Sequence, residues 1–491
     1  MSQSATRDAN ARPGIARATV FGFVAEATVF PAGLVTAAFL TRYLGVSDYG
    51  RLSLVYAVIS PVVWLASATF AGRVGVSLLT EAQDWNATAA SLLRANILLG
   101  IGAMLGFCAL VPWLAAGLGS PDLAPLLWVA AVEIGLMPVA RIHRDALIAK
   151  GRYSGPALAT LVFQLARVAL VLVLVSAGWS LLGAILANLG ARALELMVYR
   201  TRVRVPIRGA VPGWLDGARA QIGTIFGYTL CLQLFSRVDL LMLSVLRAPA
   251  DDIGLYGAAQ NVAQAPGLLA FVLSPLVIAA LRRAELANAP GEVAALKSGS
   301  ARIALAIWAL AGPAAAGAPQ LVGLLFGPSF ASSGPILGWL GIGGGAGLVL
   351  SVLAAHQVAG GRFARPLVAA IPMLLAALAL QAAWIPRYGA LGAAWATAAA
   401  AILAAMIAQV FDGFHHLSAR TLDLARMVGG ATAGYLSTQV AARAGIPSPI
   451  DILVGALVTG TILIAVRLAS VREVRQLLAQ FIGFTPNRRT A

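Results

Sequence analysis

Five ionisable residues lie inside strongly apolar stretches of the sequence, where a charge is costly. They are Glu26, Glu133, Arg167, Arg237 and Asp239. A charge at the centre of a bilayer costs about 3 kcal/mol on insertion scales, so such residues usually mark a binding site or an ion pair. A buried arginine can bind phosphate through two parallel hydrogen bonds, and a carboxylate can take up a proton or a sodium ion. All five are therefore candidate cavity residues for substrate binding, with a structural brace as the alternative.

Arg237 and Asp239 are only two residues apart. On a helix, this spacing turns the second side chain by about 200°, to nearly the opposite face. The two groups are therefore not expected to neutralise each other along the helix, and each needs its own partner. Glu26 and Glu133 are the candidate partners for Arg237.

Two other pairs have the spacing of structural ion pairs. Arg192 and Glu195 are spaced i,i+3, and Arg141 and Asp145 are spaced i,i+4. Residues at these spacings share one face of a helix. We interpret both pairs as structural.

No catalytic constellation is visible in the sequence. Its four histidines are His143, His356, His415 and His416, and no metal-ligand spacing joins them to carboxylates or cysteines. The sequence therefore predicts no catalytic residue, no metal site and no cofactor, and the protein is not expected to be an enzyme.

The composition is that of a membrane protein. Of the 491 residues, 59% are hydrophobic and 11% are charged, and the mean hydropathy is +0.85. Soluble domains carry about 25% charged residues. The apolar runs reach about 20 residues, which predicts an all-α polytopic membrane protein. The net charge of +16 reflects basic loops on one side of a membrane rather than a nucleic-acid partner.

About fourteen transmembrane helices can be marked on the sequence. They run roughly over 16–41, 51–76, 91–117, 122–149, 155–177, 179–199, 218–246, 252–281, 300–326, 332–358, 364–385, 389–411, 424–443 and 448–468. The turn of the first hairpin is expected at Asp48, Tyr49 and Gly50.

The basic residues are distributed unevenly between the loops. One side has only Arg42, Arg51, Arg247, Arg387 and Arg443, and the other side carries most of the remaining Lys and Arg. Basic loops stay in the cytoplasm, so both termini are expected to be cytoplasmic. The N-terminus is basic and has no small-residue cleavage site, which predicts no removable signal peptide.

An internal repeat divides the chain. The pattern Gly-Arg-aromatic-x-x-Pro occurs at 151–156 and again at 361–366, and Leu-Gly-Ala occurs at 182–184 and at 391–393. Repeats of this kind are typical of transporters built from two similar lobes. We predict an N-terminal six-helix lobe over 1–208, a second six-helix lobe over 209–415, and two additional helices with a cytoplasmic tail over 416–491.

Four stretches resemble those of a known family. They are TRYLGVSDYGRLSLVYA (41–57), SRVDLLMLS with IGLYGAAQ (236–260), LLFGPSFASSGPILGWL (324–340) and IPRYGALGAAWAT (385–397). In order and spacing they are similar to bacterial polysaccharide flippases. These are the O-antigen and exopolysaccharide transporters of the multidrug/oligosaccharidyl-lipid/polysaccharide exporter superfamily.

The resemblance implies two six-helix lobes around a central cavity, with two C-terminal helices added. It implies alternating access that moves a polyprenyl-diphosphate-linked oligosaccharide from the cytoplasmic to the periplasmic leaflet of the inner membrane, for cell-surface polysaccharide such as lipopolysaccharide. A coupling proton or sodium ion and other polysaccharide-assembly proteins are the further partners that it suggests. Only Arg237 and Asp239 sit in a motif that matches the family; Glu26, Glu133 and Arg167 are inferred from their apolar surroundings.

Other functions remain open at this point. A cation-coupled drug or metabolite antiporter of the same superfamily would have acidic or aromatic cavity walls, whereas a flippase would have cationic ones. Lipid II flippases are expected to carry more cationic residues in their first spans. A membrane glycosyltransferase or polymerase would need a large periplasmic loop, and the predicted periplasmic loops are short. A non-transporting scaffold is less consistent with buried charges in both halves.

Overall fold

The computed structural model describes residues 21–22, 25–68, 73–209, 219–362, 364–412, 417–466 and 468. All regular structure in these residues is helical, which confirms the predicted all-α class. The chain forms two compact units, Met1–Phe226 (unit 1) and Gly227–Ala491 (unit 2). Both termini, including the segment predicted to lack a signal peptide, and His415 and His416 lie outside the described residues.

Unit 1 contains seven helices in its described part. They are α1 (Val29–Ala68), α2 (Arg73–Thr80), α3 (Trp85–Gly117), α4 (Ala124–Ala130), α5 (Val132–Ala149), α6 (Ser154–Leu174) and α7 (Ser180–Arg202). Asp84 caps the start of α3, where its side chain accepts a hydrogen bond from the Ala87 amide at 3.1 Å. Leu92, Ile142 and Leu147 are fully buried in a core that α2, α3, α5 and α7 share, so α5 is held on several sides.

The remaining helices belong mostly to unit 2. They are α8 (Arg219–Val245), α9 (Ala250–Ala263), α10 (Ala265–Leu286), α11 (Pro290–Ala309), α12 (Ala311–Ala316), α13 (Ala318–Phe326), α14 (Gly334–Ala359), α15 (Arg365–Asp412), α16 (Leu417–Arg443) and α17 (Ile450–Ala465). The central helix is α14, which packs against α10, α11 and α15. Most of its residues are buried, so it is apolar on all sides.

Glycines with positive φ break three of the long helical stretches. Gly45 (φ 77°) interrupts α1, Gly178 (φ 92°) lies between α6 and α7, and Gly389 (φ 55°) interrupts α15. Residues with a Cβ rarely adopt this conformation, which is why the chain turns at glycine. The predicted turn at 48–50 is therefore wrong in position, because those residues are helical and the backbone turns at Gly45.

Eight helical stretches of the described residues are long and apolar enough to cross a membrane. They are Ala25–Ser67, Trp85–Gly117, Pro121–Ala149, Ser154–Arg202, Ala250–Leu286, Pro290–Ala316, Pro328–Ala359 and Arg365–Phe411. Three of the eight contain one of the glycine breaks, so the eight stretches do not give the number of crossings. The count of fourteen spans and the division at 208 and 415 stay predictions.

The last two helices pack closely within unit 2. A Cβ on Gly434 of α16 would clash with Thr459 Oγ1 of α17, and a Cβ on Gly455 of α17 would clash with Thr438 Oγ1 of α16. Asp423 of α16 also binds Arg302 of α11 at 3.1 Å. Small residues let membrane helices approach closely, and here they join α16 to α17.

Candidate functional site

A cluster of charged groups is buried between α5 and α7 in unit 1. Glu133 of α5 accepts a hydrogen bond from Asn188 Nδ2 at 2.8 Å and lies 3.4 Å from Arg192 Nη2. Arg192 also donates to Glu195, whose second oxygen accepts from the Tyr199 hydroxyl at 3.3 Å. The two carboxylate residues are 8% and 7% exposed. One arginine therefore compensates two buried carboxylates, and polar neighbours complete their hydrogen bonding.

The α7 members of this cluster form a stripe on one face of the helix. Asn188, Arg192, Glu195 and Tyr199 are spaced i, i+4, i+7 and i+11, which is the period of an α-helix. The predicted pair of Arg192 and Glu195 is confirmed. Glu133, which the sequence suggested as a partner for Arg237, is instead paired with Arg192. The polar stripe is visible in the sequence, but its partner on α5 is not.

Arg167 of α6 is a partly buried cation that forms no ion pair with a described carboxylate. The Phe163 ring lies 4.0 Å from the guanidinium carbon of Arg192 and 5.5 Å from that of Arg167. Within the part of the chain that the structure describes, no carboxylate forms an ion pair with Arg167, and its buried Nε has no hydrogen-bond partner. Gly33 of α1 faces the same guanidinium, since a Cβ there would lie 3.9 Å from Nη2. Two arginines thus share one aromatic ring, and of the two only Arg192 forms ion pairs with described carboxylates.

Glu26 forms a more exposed ion pair. It lies 3.6 Å from Arg144 Nη2 of α5, and the two side chains are 43% and 30% exposed. An ion pair with this much solvent access contributes about 0–1 kcal/mol to stability. Glu26, which was inferred from its apolar surroundings, is thus exposed and paired with an arginine, whereas Arg167 forms no ion pair with a described carboxylate.

Asp239 of α8 is held by neutral donors in unit 2. The Tyr256 hydroxyl donates to its Oδ2 at 2.6 Å, Gln260 Nε2 donates to the same oxygen at 3.0 Å, and the Leu240 amide donates to Oδ1 at 2.8 Å. The residue is 1% exposed. Several donors around one carboxylate stabilise its charge without a cation in the innermost shell.

Arg237 and Asp239 converge on one side chain, contrary to the expectation of separate partners. Gln260 accepts from Arg237 Nη1 at 3.5 Å through Oε1 while its Nε2 donates to Asp239. The 200° separation applies to Cβ positions, and the two ends of the Gln260 amide contact both side chains. Tyr256 and Gln260, spaced i,i+4 on α9, supply this shared face, and that spacing was readable in the sequence.

The polar network of unit 2 continues to α15. Thr397 Oγ1 lies 3.4 Å from the Tyr256 hydroxyl and accepts from Gln381 Nε2 at 3.2 Å. Gln381 is fully buried, and its Oε1 has no hydrogen-bond partner among the described residues. The network therefore joins α8, α9 and α15 through polar groups inside an apolar core.

The comparisons with known proteins agree with this architecture. The family described as "Polysaccharide biosynthesis protein" matches residues 39–334, which is more than half of the chain. The chain therefore belongs to that family, and the resemblance to polysaccharide flippases is confirmed. No curated protein sequence matches the chain.

Solved structures of membrane transporters share the fold. An inward closed conformation of the lipid II flippase MurJ superposes with a TM-score of 0.69 at 16% identity, covering 91% of this chain and 98% of that one. An inward-facing multidrug resistance MATE family transporter gives 0.68 at 14% identity, covering 80% and 97%. A MOP superfamily transporter from Pyrococcus furiosus gives 0.54 at 13%, covering 81% and 93%. The protein is thus a multi-pass membrane protein with the fold of the MOP superfamily, whose solved members here are transporters and flippases rather than enzymes.

Proposed function

We propose that the protein moves a polyprenyl-diphosphate-linked oligosaccharide from the cytoplasmic to the periplasmic leaflet of the bacterial inner membrane, by alternating access. The product serves the assembly of cell-surface polysaccharide, with both termini in the cytoplasm and other assembly proteins as partners. Membership of a polysaccharide biosynthesis family supports the cargo class. The observation that carries the proposal is Arg167, a partly buried guanidinium that forms no ion pair with a described carboxylate.

The chemistry of a diphosphate fits Arg167 better than Arg192. The planar guanidinium forms parallel hydrogen bonds to phosphate oxygens and stays charged at every relevant pH. Arg192 already directs its nitrogens to Glu133 and Glu195. The Phe163 face orients the Arg167 guanidinium, as aromatic rings do for cations. Arg167 is therefore the substrate-binding residue in this proposal, and Glu133 acts by holding Arg192.

Arg237 and Asp239, which lie in the stretch of unit 2 that resembles the family, have different roles in this proposal. Arg237 is half-buried beside Gln260 and is a second candidate for contact with the anionic headgroup. Asp239 is a candidate binding residue for the coupling ion. Tyr256 and Gln260, which donate to it, are neutral, so uptake of a proton or a sodium ion by Asp239 breaks no ion pair with them.

The same Asp239 favours a second candidate function, that of a cation-coupled drug or metabolite antiporter. A buried carboxylate in an apolar helix suits cation exchange, and transporters of multidrug resistance families share the fold. The two functions differ in the charge of their cargo, so a transport assay separates them.

The test is a flipping assay with purified protein in liposomes that contain a polyprenyl-diphosphate oligosaccharide. We expect the parent protein to move the lipid between leaflets. Arg167→Met should slow it about tenfold or more, because a hydrogen bond to a charged group is worth about 1.5–3 kcal/mol. Arg282→Met is the matched control, since that side chain is 55% exposed and pairs with Glu285.

Two results would contradict the proposal. Equal rates for the parent and Arg167→Met would show that Arg167 does not handle the diphosphate. A parent that leaves the lipid in place but expels a cationic dye in exchange for protons would identify the antiporter.

A further inference from the structure

Four aromatic side chains of unit 2 form a contiguous cluster. The Trp395 ring lies 6.3 Å from Trp339, 6.4 Å from Trp384 and 5.0 Å from Tyr388, measured between centroids. The contacts are T-shaped or tilted rather than parallel. We call these four residues the aromatic cluster. Edge contacts of this kind fix the orientation of the central indole and leave outer ring faces available.

Two helices and a break in one of them position the aromatic cluster. Trp339 comes from the first turns of α14, and the other three come from α15. Trp384 and Tyr388 are spaced i,i+4, so they share one face. The helix breaks at Gly389 and restarts at Ala390, whose amide donates to Asp252 Oδ2 at 3.3 Å. The cluster therefore surrounds a capped break, at the end that the charge distribution assigns to the periplasm.

The aromatic cluster combines exposed rings with an unsatisfied donor. Trp339 is 42% exposed and Tyr388 is 52% exposed. The indole Nε1 of Trp395 is buried and has no hydrogen-bond partner among the described residues. Trp128 of unit 1, in contrast, donates its Nε1 to the Cys108 carbonyl at 3.1 Å. Trp85 of unit 1 also has a buried Nε1 without a partner among the described residues, but the Trp395 donor lies beside exposed rings and is available to an acceptor that a ligand supplies.

A belt of interfacial aromatics explains exposed rings but not this arrangement. Trp and Tyr residues at a membrane interface anchor to headgroups individually. Trp113 and Trp179 of unit 1 fit that role, since they are 71% and 51% exposed and have no ring contact among the described residues. The rings of unit 2 instead contact one another around one indole.

We infer that the aromatic cluster is a binding site for pyranose rings of the transported glycan, and this inference rests on the proposed function. The apolar C–H face of a pyranose packs against an exposed aromatic face, as apolar groups do against Trp and Tyr. A hydroxyl oxygen of the sugar can accept a hydrogen bond from the Trp395 N–H. Two exposed charged residues lie close in sequence to the break: Arg387 precedes Gly389, and Asp251 precedes Asp252, which caps the restarted helix. Both can form hydrogen bonds to further sugar hydroxyls. The cluster would receive sugar residues as they arrive in the periplasm.

Binding is tested apart from transport, with the full-length protein in nanodiscs and cellopentaose as the lipid-free probe. Saturation-transfer NMR should show contact between protein and sugar protons for the parent. Trp339→Ala and Tyr388→Ala, both at exposed positions, should weaken the affinity about tenfold. Trp395→Phe keeps a ring but removes the donor, and should weaken it by a smaller factor. Trp113→Ala is the matched control and should bind like the parent.

The transport arm compares polyprenyl diphosphates that carry one sugar or five. Trp339→Ala should slow the five-sugar lipid and leave the one-sugar lipid within about twofold of the parent rate. The inference would be overturned if the parent showed no saturation transfer to cellopentaose, or if Trp113→Ala and Trp339→Ala lowered the affinity equally. The aromatic residues would then be anchors at the membrane interface. If cellopentaose binds at the cluster but no lipid is flipped, the sugar site stands and the proposed cargo is wrong.

Discussion

The carboxylate cluster of unit 1 and Asp239 of unit 2 are held in different ways. In unit 1, Glu133 and Glu195 are held by a shared cation, Arg192. In unit 2, Asp239 is held by the hydroxyl of Tyr256, the amide of Gln260 and a backbone N–H. The first arrangement depends on opposite charge, and the second depends on neutral donors.

The difference separates structural charges from those available for function. A carboxylate that is locked to a buried arginine cannot change its partner without a large loss of stability. Arg167 is partly buried beside an aromatic ring, and Asp239 is buried among mainly neutral donors. These two groups can therefore bind an anion or exchange a cation while the surrounding helices stay packed.

Removing the shared cation of unit 1 should have the largest effect. Arg192→Met leaves two buried carboxylates without a counter-charge, which should destabilise the protein by about 3–5 kcal/mol. The thermal unfolding midpoint of the detergent-purified protein should fall sharply. The control is Glu133→Gln with Arg192 intact, because it keeps the Arg192–Glu195 pair and should lower the midpoint less. A midpoint unchanged in Arg192→Met would mean that the ionic cluster is not structural.

A neutral donor of unit 2 should matter less. Tyr256→Phe removes the hydrogen bond at 2.6 Å to Asp239, and a bond to a charged group contributes about 1.5–3 kcal/mol. Gln260 and the Leu240 amide remain as donors, so the protein should still fold with a moderately lower unfolding midpoint. A loss as large as that of Arg192→Met would remove the distinction between the two arrangements.

The exposed pair of unit 1 should have the smallest effect. Glu26→Gln removes the ion pair with Arg144, and an exposed pair contributes about 0–1 kcal/mol. We expect the unfolding midpoint and the lipid-flipping rate to stay close to the parent values. A strong loss of flipping without a loss of stability would instead make Glu26 a coupling residue.

The sequence predicted the helical class, the family and the burial of Glu133 and Asp239, whereas Glu26 is exposed. It also predicted the pair of Arg192 and Glu195, since both residues lie on one helix and their spacing is local. It did not predict that Glu133 joins this pair or that Gln260 bridges Arg237 and Asp239, because those contacts depend on how different helices pack. The turn of the first hairpin was misplaced for a related reason. Asp and Gly at 48–50 favour a turn, but the glycine with positive φ is Gly45.

The aromatic cluster was also not visible in the sequence. Its members are spread over α14 and both sides of the break in α15, and the chain has ten tryptophans to choose from. Trp384, Tyr388 and Trp395 read as interfacial aromatics when each is considered alone. Only the distances between the rings distinguish them from Trp113 and Trp179.

The most direct test of the central claim is the affinity of the protein for polyprenyl diphosphate itself. Native mass spectrometry of the parent and of Arg167→Met, each in the same detergent, measures the bound fraction as the lipid is titrated. We predict binding about tenfold weaker or more for Arg167→Met, at an unfolding midpoint equal to or above that of the parent. Equal affinity in the two proteins, with both folded, would show that Arg167 is not the anion-binding cation.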